Sequence, residues 1–583
     1  MRYNSDSFEL AATDLSNHLS CTHLTQLHRK VALGEIKKPS WRDPSLDVLI
    51  KRGQEHEAAY VEFLSMKGLK VVNLNGQPIE GVAEAMKQGA DVLVQAMLQD
   101  GQWMGYADIL LKVPGKSKFG NWSYEVQDTK LAQNTRAATI LQLCFYTDLL
   151  EKLQGNSPEK MYVVKPGDNF PTEEYRFAEF HAYYRLVKKN FEQVMAGSAL
   201  PTYPDPVEHC NICRWWQVCD KKRHDDDHLS LVAGIRSLHI VELQRQKIET
   251  LEQFAKADKL EKPERGNKET FIRKQSQAKV QLDGRYQNKL LHELLPIDAG
   301  RGLNRLPEPN EGDIYFDIEG DAFYENGGLE YVLGYAYMEK GNLVYKRLWS
   351  TNRVEERRAF EQFMYFISEH WKRFPKMYIY HFAPYEQAAI KRLAHVHATF
   401  EKEMHELLRA ERFIDLHAVF KEALLASVES YSLKELEKFT QYTRKVVLHD
   451  ASVARKSVEV ALELNDFKSL SKEAIQIVED YNEDDCLATE ALRKWLENVR
   501  AELVKSGKEF QRPELKTGEA SENVQQLDTR SLRLFKALTE KLPEDRLIWN
   551  VEHKAKWLLA HQIEYFRRED KSAWWEFFRV HEL

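Results

Sequence analysis

The sequence predicts a mixed α/β chain of several domains, and three observations predict it. Its 583 residues exceed the roughly 250 to 300 at which a single hydrophobic core stops growing, so three or four domains are expected. Two β-rich stretches, one around Trp122-Ser123-Tyr124-Glu125-Val126-Gln127 and one opening at Ile314-Tyr315-Phe316-Asp317-Ile318-Glu319, are separated by a polar helical region. Three cysteines, Cys210, Cys213 and Cys219, close the first stretch.

In chain order, residues 1–225 are expected to form one α/β domain. Residues 226–305 form a helical connector, with a helical piece at Leu231 to Ile235 and another led by Ile248-Glu249-Thr250-Leu251; a helix-hairpin-helix is one reading of it. The turn-rich Leu306-Pro307-Glu308-Pro309-Asn310 marks the boundary to a second α/β domain over 306–500. Residues 501–583 are a charged helical tail whose aromatic end, Trp574-Trp575-Glu576-Phe577-Phe578, calls for a docking surface.

With 43% hydrophobic and 30% charged residues the composition is that of an ordinary globular protein. A net charge of −7 excludes a global basic field, so nucleic acid must be held by local Lys/Arg patches. Met1-Arg2-Tyr3-Asn4-Ser5-Asp6 lacks a signal-peptide pattern and no run approaches a membrane span, which reads as a cytoplasmic protein with no membrane partner. Six cysteines in so long a chain are no disulfide scaffold; three crowded into 210–219 suggest metal.

The first candidate site takes three pieces: Gly53-Gln54-Glu55-His56-Glu57 on a helix, Gly105-Tyr106-Ala107-Asp108 at a strand end, and Glu125-Val126-Gln127-Asp128-Thr129-Lys130 on a strand. Side chains alternate across a strand, so Asp128 and Lys130 share a face. Asp108 and Asp128 offer hard oxygen ligands suited to Mg²⁺ or Mn²⁺, and a ring nitrogen of His56 would complete the shell. Lys130 would orient the water or stabilise charge, while Gln142 and Tyr146, one helical turn apart, would meet the substrate backbone. Asp-x-Lys alone is a common tripeptide. The ordered set resembles the RecB-type branch of the PD-(D/E)xK nucleases, which implies a restriction-endonuclease-like fold for residues 1–225 and metal-dependent phosphodiester hydrolysis.

Cys210, Cys213 and Cys219 supply three thiolates, and Cys21, on a helix read as Leu15 to Val31, is the natural fourth. Spacing leaves zinc open, with His209 completing a Cys3His set as one form. One cysteine before the nuclease motifs and three after resembles the AddB-type and CRISPR-associated RecB-like nucleases, which implies a 4Fe–4S iron–sulfur cluster. Cys144 and Cys486 read as small buried hydrophobes.

The second candidate site begins with Asp317 and Glu319 on one face of an apolar strand, where two acids repel unless a cation neutralises them. His381-Phe382-Ala383-Pro384-Tyr385-Glu386, Phe413-Ile414-Asp415-Leu416, Ser430 to Leu436 and Tyr481-Asn482-Glu483-Asp484-Asp485 follow; Tyr481 and Asp485 lie one helical turn apart. A two-metal exonuclease needs about four acids and a group that positions water. Asp317, Glu319, Glu386 and Asp485 would be the acids, and Tyr481 the positioning group. The set resembles the Tyr-bearing DEDD exonucleases of RNase H-like fold, specifically the YprB-type group, which implies 3′→5′ exonuclease activity. Glu386 stands where most such enzymes have Asp, and Asp415 is available as an outer or substitute ligand.

Gly115-Lys116-Ser117 ends like a phosphate-binding loop, but Leu110 occupies the place of the first glycine; it reads as a loop between strands and no ATPase is encoded. The whole chain resembles the front half of bacterial RecB-like nucleases whose two nuclease domains precede a superfamily 1 helicase, implying a DNA nuclease for end processing in repair, recombination or defence, with a helicase in trans as partner. A decayed DNA-end-binding scaffold and an RNA-processing exonuclease are the rival readings.

Overall fold

The computed structural model describes residues 1–4, 6–40, 45–131, 135–167, 169–196, 202–322, 324, 327–519, 522–543 and 548–566. The Trp574 to Phe578 segment lies outside the described residues. The chain separates into a larger unit, Met1–His397 with Ile414–Pro513, and a smaller one, Ala398–Phe413 with Glu514–Leu583.

The larger unit holds two principal sheets. The first has six strands, Val71–Asn73, Val92–Asp100, Trp103–Ser117, Gly120–Thr129, Lys160–Val164 and Thr172–Arg176, in that spatial order. Its pairings mix antiparallel neighbours with parallel ones at both sides of the central hairpin. The run Val92-Leu93-Val94 is fully interior, as expected of a strand covered on both faces. Helix Ala137–Gln154 covers it with Leu141, Leu143, Phe145, Leu149 and Leu150, and ends on Gly155, whose φ of 77° supplies the left-handed cap.

The second sheet has five strands. Asn342–Trp349, Leu329–Glu339, Ile314–Asp321 and Ile379–His381 follow one another, with the strand ending at Asp415 beyond. Its first three strands are antiparallel and Ile379–His381 runs parallel to Ile314–Asp321. The 34-residue helix Lys472–Lys505 lies against this sheet; Ser471 caps its start by accepting from the Ala474 amide. Stacked Phe316 and Phe363, centroids 4.5 Å apart, fix the helix Arg353–Arg373 on the other side.

Between the sheets in sequence, helices Ser237–Arg245, Leu251–Lys256 and Lys268–Gln287 enclose Leu229, Leu243, Phe254 and Phe271. Thr250 caps the second of them through the Gln253 amide. Leu231 to Ile235 is not helical: a 3-10 turn, Leu229–Leu231, is followed by a turn at Gly234, whose φ is 68°. Two other expectations are corrected. The helix expected from Leu15 to Val31 is two helices, Ala12–Ser20 and Thr22–Ala32, because Cys21 is extended, φ −162° and ψ 109°. Gly115-Lys116-Ser117 belongs to the strand Trp103–Ser117 rather than to a loop, and a side chain at Gly115 would meet Ser123 Oγ at 2.9 Å.

In the smaller unit, Arg409 and Arg412 on and after the helix Glu401–Arg409 donate to the carbonyls of Gly518 and Lys516, each at 2.8 Å. Residues 509–519 are irregular, and the tail helices are Glu522–Thr539 and Val551–Gln562.

Candidate functional site

Ile314–Asp321 delivers Asp317 and Glu319 from the centre of the second sheet, and the long helix Lys472–Lys505 delivers Asp485 from above it. One ligand oxygen from each lies within 4.8 Å of the others. Burial, then the charges of Asp485, Glu319 and Glu386, push the Asp317 carboxyl well above its ordinary range. Burial pushes Glu319 up to about 7 against the pull of Arg455. Carboxylates so crowded and so dry call for added positive charge, so the donor set fits a divalent ion.

Glu386 sits in the first turn of the helix Tyr385–His397 and is buried, with His381 Nδ1 3.5 Å from its Oε2. It is close enough for its charge to raise Asp317. Asp415 Oδ1 accepts from the amides of Ala383, at 2.8 Å, and His417, at 2.9 Å, capping the helix Leu416–Ala423. These bonds make Asp415 a helix cap through one oxygen, and its charge also reaches Glu386. Tyr481 is buried, and burial together with Asp485 and Glu319 raises its phenol, which therefore keeps its proton at neutral pH.

Several neighbours take part that residue spacing alone assigned no role. Asn482 donates to Asp317 Oδ2 at 2.8 Å and its own carbonyl accepts from Tyr345, at 2.7 Å, so it sets the rotamer of Asp317. Gly334, paired with Asp317 across the strands, makes room for it: a Cβ there would lie 1.6 Å from Asn482 Oδ1. Lys434, Arg444 and Arg455 pair with the acids at 3.6, 2.6 and 2.9 Å.

In the first sheet the register Ile109 to Gln127 brings Asp108 and Asp128 to neighbouring positions. Asp108 lies within its strand rather than at the end, and its Oδ2 accepts from the Thr129 amide at 3.3 Å. Asp128 is 1% exposed and its Oδ2 lies 2.6 Å from Lys130 Nζ, so the two do share a face. Burial raises the Asp128 carboxyl, Lys130 opposes this and Asp108 adds to it. Gln142 donates to Asp128 Oδ1 at 3.3 Å, and Tyr146 is close enough that both acids raise its phenol. Gly105 has a steric reason to be glycine, since a Cβ there would meet the Tyr146 ring at 2.8 Å.

His56 places Nε2 3.4 Å from the Val164 carbonyl and stacks its ring on Phe170. Its neighbour Glu57 on the helix Ser45–Met66 is the group whose carboxyl Asp108 and Lys130 perturb, after burial and a hydrogen bond from Gln95. Gln95, at φ 54° between the pairs Val94–Ile109 and Ala96–Ala107, reaches Glu57 Oε1 at 2.5 Å. A non-glycine residue in that conformation is uncommon, and spacing alone does not announce it.

Cys21, Cys210, Cys213 and Cys219 line one cavity with His23, His209 and Trp215. Their thiols sense one another: burial first, and neighbouring cysteines after it, raise Cys213 and push Cys219 up to about 11. The buried Trp215 Nε1 has no hydrogen-bond partner among the described residues. No three of the ligand atoms here lie within 4.8 Å of one another among the described residues. Cys144 and Cys486 are buried in cores.

Residues 314–497 match the RNase_H_2 family of the RNase H superfamily. This part of the chain is thus an RNase H-like domain, a fold that typically houses a nuclease, and the match spans Asp317, Glu319, Glu386, Tyr481 and Asp485 alike. No curated protein matches the chain. Among the described residues no helix is long and apolar enough to cross a membrane.

Proposed function

We propose that this chain is a divalent-metal-dependent nuclease that hydrolyses DNA phosphodiesters at its RNase H-like centre, with a second hydrolytic centre in residues 1–225. The observation that carries the reading is the convergence of Asp317, Glu319 and Asp485, within 4.8 Å, inside the residues of the family match. Mg²⁺ or Mn²⁺, when bound, supplies phosphate polarisation and a lowered water pKa. Asp317, Glu319 and Asp485 would hold it, with Glu386 alongside. Tyr481, its phenol kept protonated, donates a hydrogen bond that orients the attacking water rather than taking its proton. Asn482 fixes Asp317.

At the second centre Asp108 and Asp128 would hold the ion, with Glu57 in the place expected of His56. Lys130 pairs with Asp128 and faces the developing charge, while Gln142 and Tyr146 steady the acid and the substrate backbone. The four cysteines suit a 4Fe–4S cluster. Thiolates on one zinc at about 2.3 Å would lie about 3.8 Å apart, closer than the spread of this set, and Trp215 Nε1 offers a donor to a cluster sulfur. End processing in repair, recombination or defence, with a helicase in trans, is the setting this reading implies.

The test is Mn²⁺-supported cleavage of end-labelled, sequence-matched DNA and RNA by wild type, Asp317→Ala, Asp128→Ala and the double variant. DNA cleavage lost stepwise in the single variants and wholly in the double supports the reading. Cleavage unchanged in the double variant overturns it, and preferential cleavage of RNA replaces the substrate. A purified protein absorbing near 400 nm supports the cluster; a colourless zinc protein removes it.

A further inference from the structure

Three cations stand around Tyr481, and the hydrolysis proposed above gives none of them a role. Lys434 Nζ lies 5.1 Å from the ring centroid, and the guanidinium carbons of Arg455 and Arg444 lie 5.4 and 5.7 Å from it. They come from three separate places, the short helix Leu433–Leu436, the loop before Leu448, and the helix Leu448–Glu463. Each also touches the acids: Arg455 Nε is 2.9 Å from Glu319 Oε2, Arg444 Nη2 is 2.6 Å from Asp485 Oδ1, and Lys434 Nζ is 3.6 Å from Asp485 Oδ2.

Arg444 is fixed from behind, its Nε 2.9 and 3.0 Å from the two oxygens of Glu437. Its side chain is only 8% exposed, yet Nη1 has no hydrogen-bond partner among the described residues. A buried guanidinium with an unused donor is costly until an acceptor completes it. The Arg455 Nε–H is likewise not aligned on Glu319 despite the short separation.

A divalent ion binds carboxylate oxygens at about 2.0 to 2.6 Å, and the same oxygens cannot keep cations in contact at full strength. Cations displaced from Glu319 and Asp485 stay anchored by Glu437 and the Tyr481 face, and the nearest anion of suitable shape is the phosphate under attack. We infer that Lys434, Arg444 and Arg455 are a phosphate clamp: they neutralise the acids in the metal-free protein and hold the non-bridging oxygens of the scissile phosphate once the acids hold metal. The guanidinium forks match a phosphate in a way a single ammonium does not. This assignment rests on the metal reading of Asp317, Glu319 and Asp485.

The test uses the full chain and two probes, Mn²⁺ alone, followed by electron paramagnetic resonance, and thymidine 5′-monophosphate titrated in saturating Mn²⁺. Arg455→Gln removes a competitor from Glu319 and a ligand from the phosphate, so Mn²⁺ binds more tightly while the monophosphate binds about tenfold more weakly, the loss expected of one charge-assisted hydrogen bond. Arg444→Lys keeps the charge but not the fork; Mn²⁺ affinity holds and monophosphate affinity falls. If Arg455→Gln weakens both probes, or moves neither, the clamp is wrong while the metal site stands. If wild type binds no Mn²⁺ that Asp317→Asn removes, the metal reading fails and the clamp falls with it.

Discussion

Both acidic centres are built from strand carboxylates, but they are countered in different ways. At Asp128 the counter-charge is Lys130, two residues along the same strand direction and 2.6 Å away, so acid and base arrive in one tripeptide. Around Asp317, Glu319 and Asp485 the counter-charges come from separate elements, Arg455 on Glu319 and Lys434 and Arg444 on Asp485. A short-range pair makes a centre that is legible as a motif; a long-range cage makes one whose electrostatics exist only in the fold. The second arrangement also leaves three carboxylates mutually close, a grouping the first centre lacks among the described residues.

The largest expected effect separates the centres outright. Asp317→Asn lowers cleavage by the RNase H-like centre by about three orders of magnitude, comparable to losing a preorganised electrostatic group, and leaves Asp128-dependent cleavage in place; rates on end-labelled DNA measure both. Next comes Lys130→Met, which strands the buried Asp128. It should abolish the first centre and cost about 1 to 3 kcal/mol in denaturant melts, less than a wholly interior pair because Lys130 is 30% exposed.

Gly334→Ala has a comparable stability cost, about 1 to 3 kcal/mol for overpacking, since its Cβ would enter the space of Asn482 Oδ1. It should damage only the RNase H-like centre, by displacing the residue that holds Asp317.

The smallest effect is a pH dependence. The folded pKa of Glu319, about 7 against an ordinary 4.5, favours its neutral form, so its stabilisation is fully present below about pH 4.5 and disappears as pH rises through about 7. Mn²⁺ should therefore raise the melting temperature more at pH 8 than at pH 6, where it must displace a proton. Glu319→Gln should flatten that difference.

Much of this was readable before the fold was known. Alternation along Ile314–Asp321 and the one-turn spacing of Tyr481 and Asp485 placed those side chains, because strand and helix periodicity are local. Asp415 was readable too, as a cap directly before a helical run, but its acid invited a metal role. The break at Cys21 and the left-handed backbone of Gln95 were not readable, since both depend on a backbone conformation imposed by neighbours. His56 and Glu57 are adjacent on one helix, and their different partners, Val164 and Phe170 for one and Gln95 for the other, come from packing that spacing does not encode.

The most direct test is a crystal of the full chain soaked in Mn²⁺ and measured at the manganese edge. The account predicts an anomalous peak among the carboxylates of Asp317, Glu319 and Asp485. A well-ordered site with Arg444 and Arg455 still on those acids and no peak between them would contradict it.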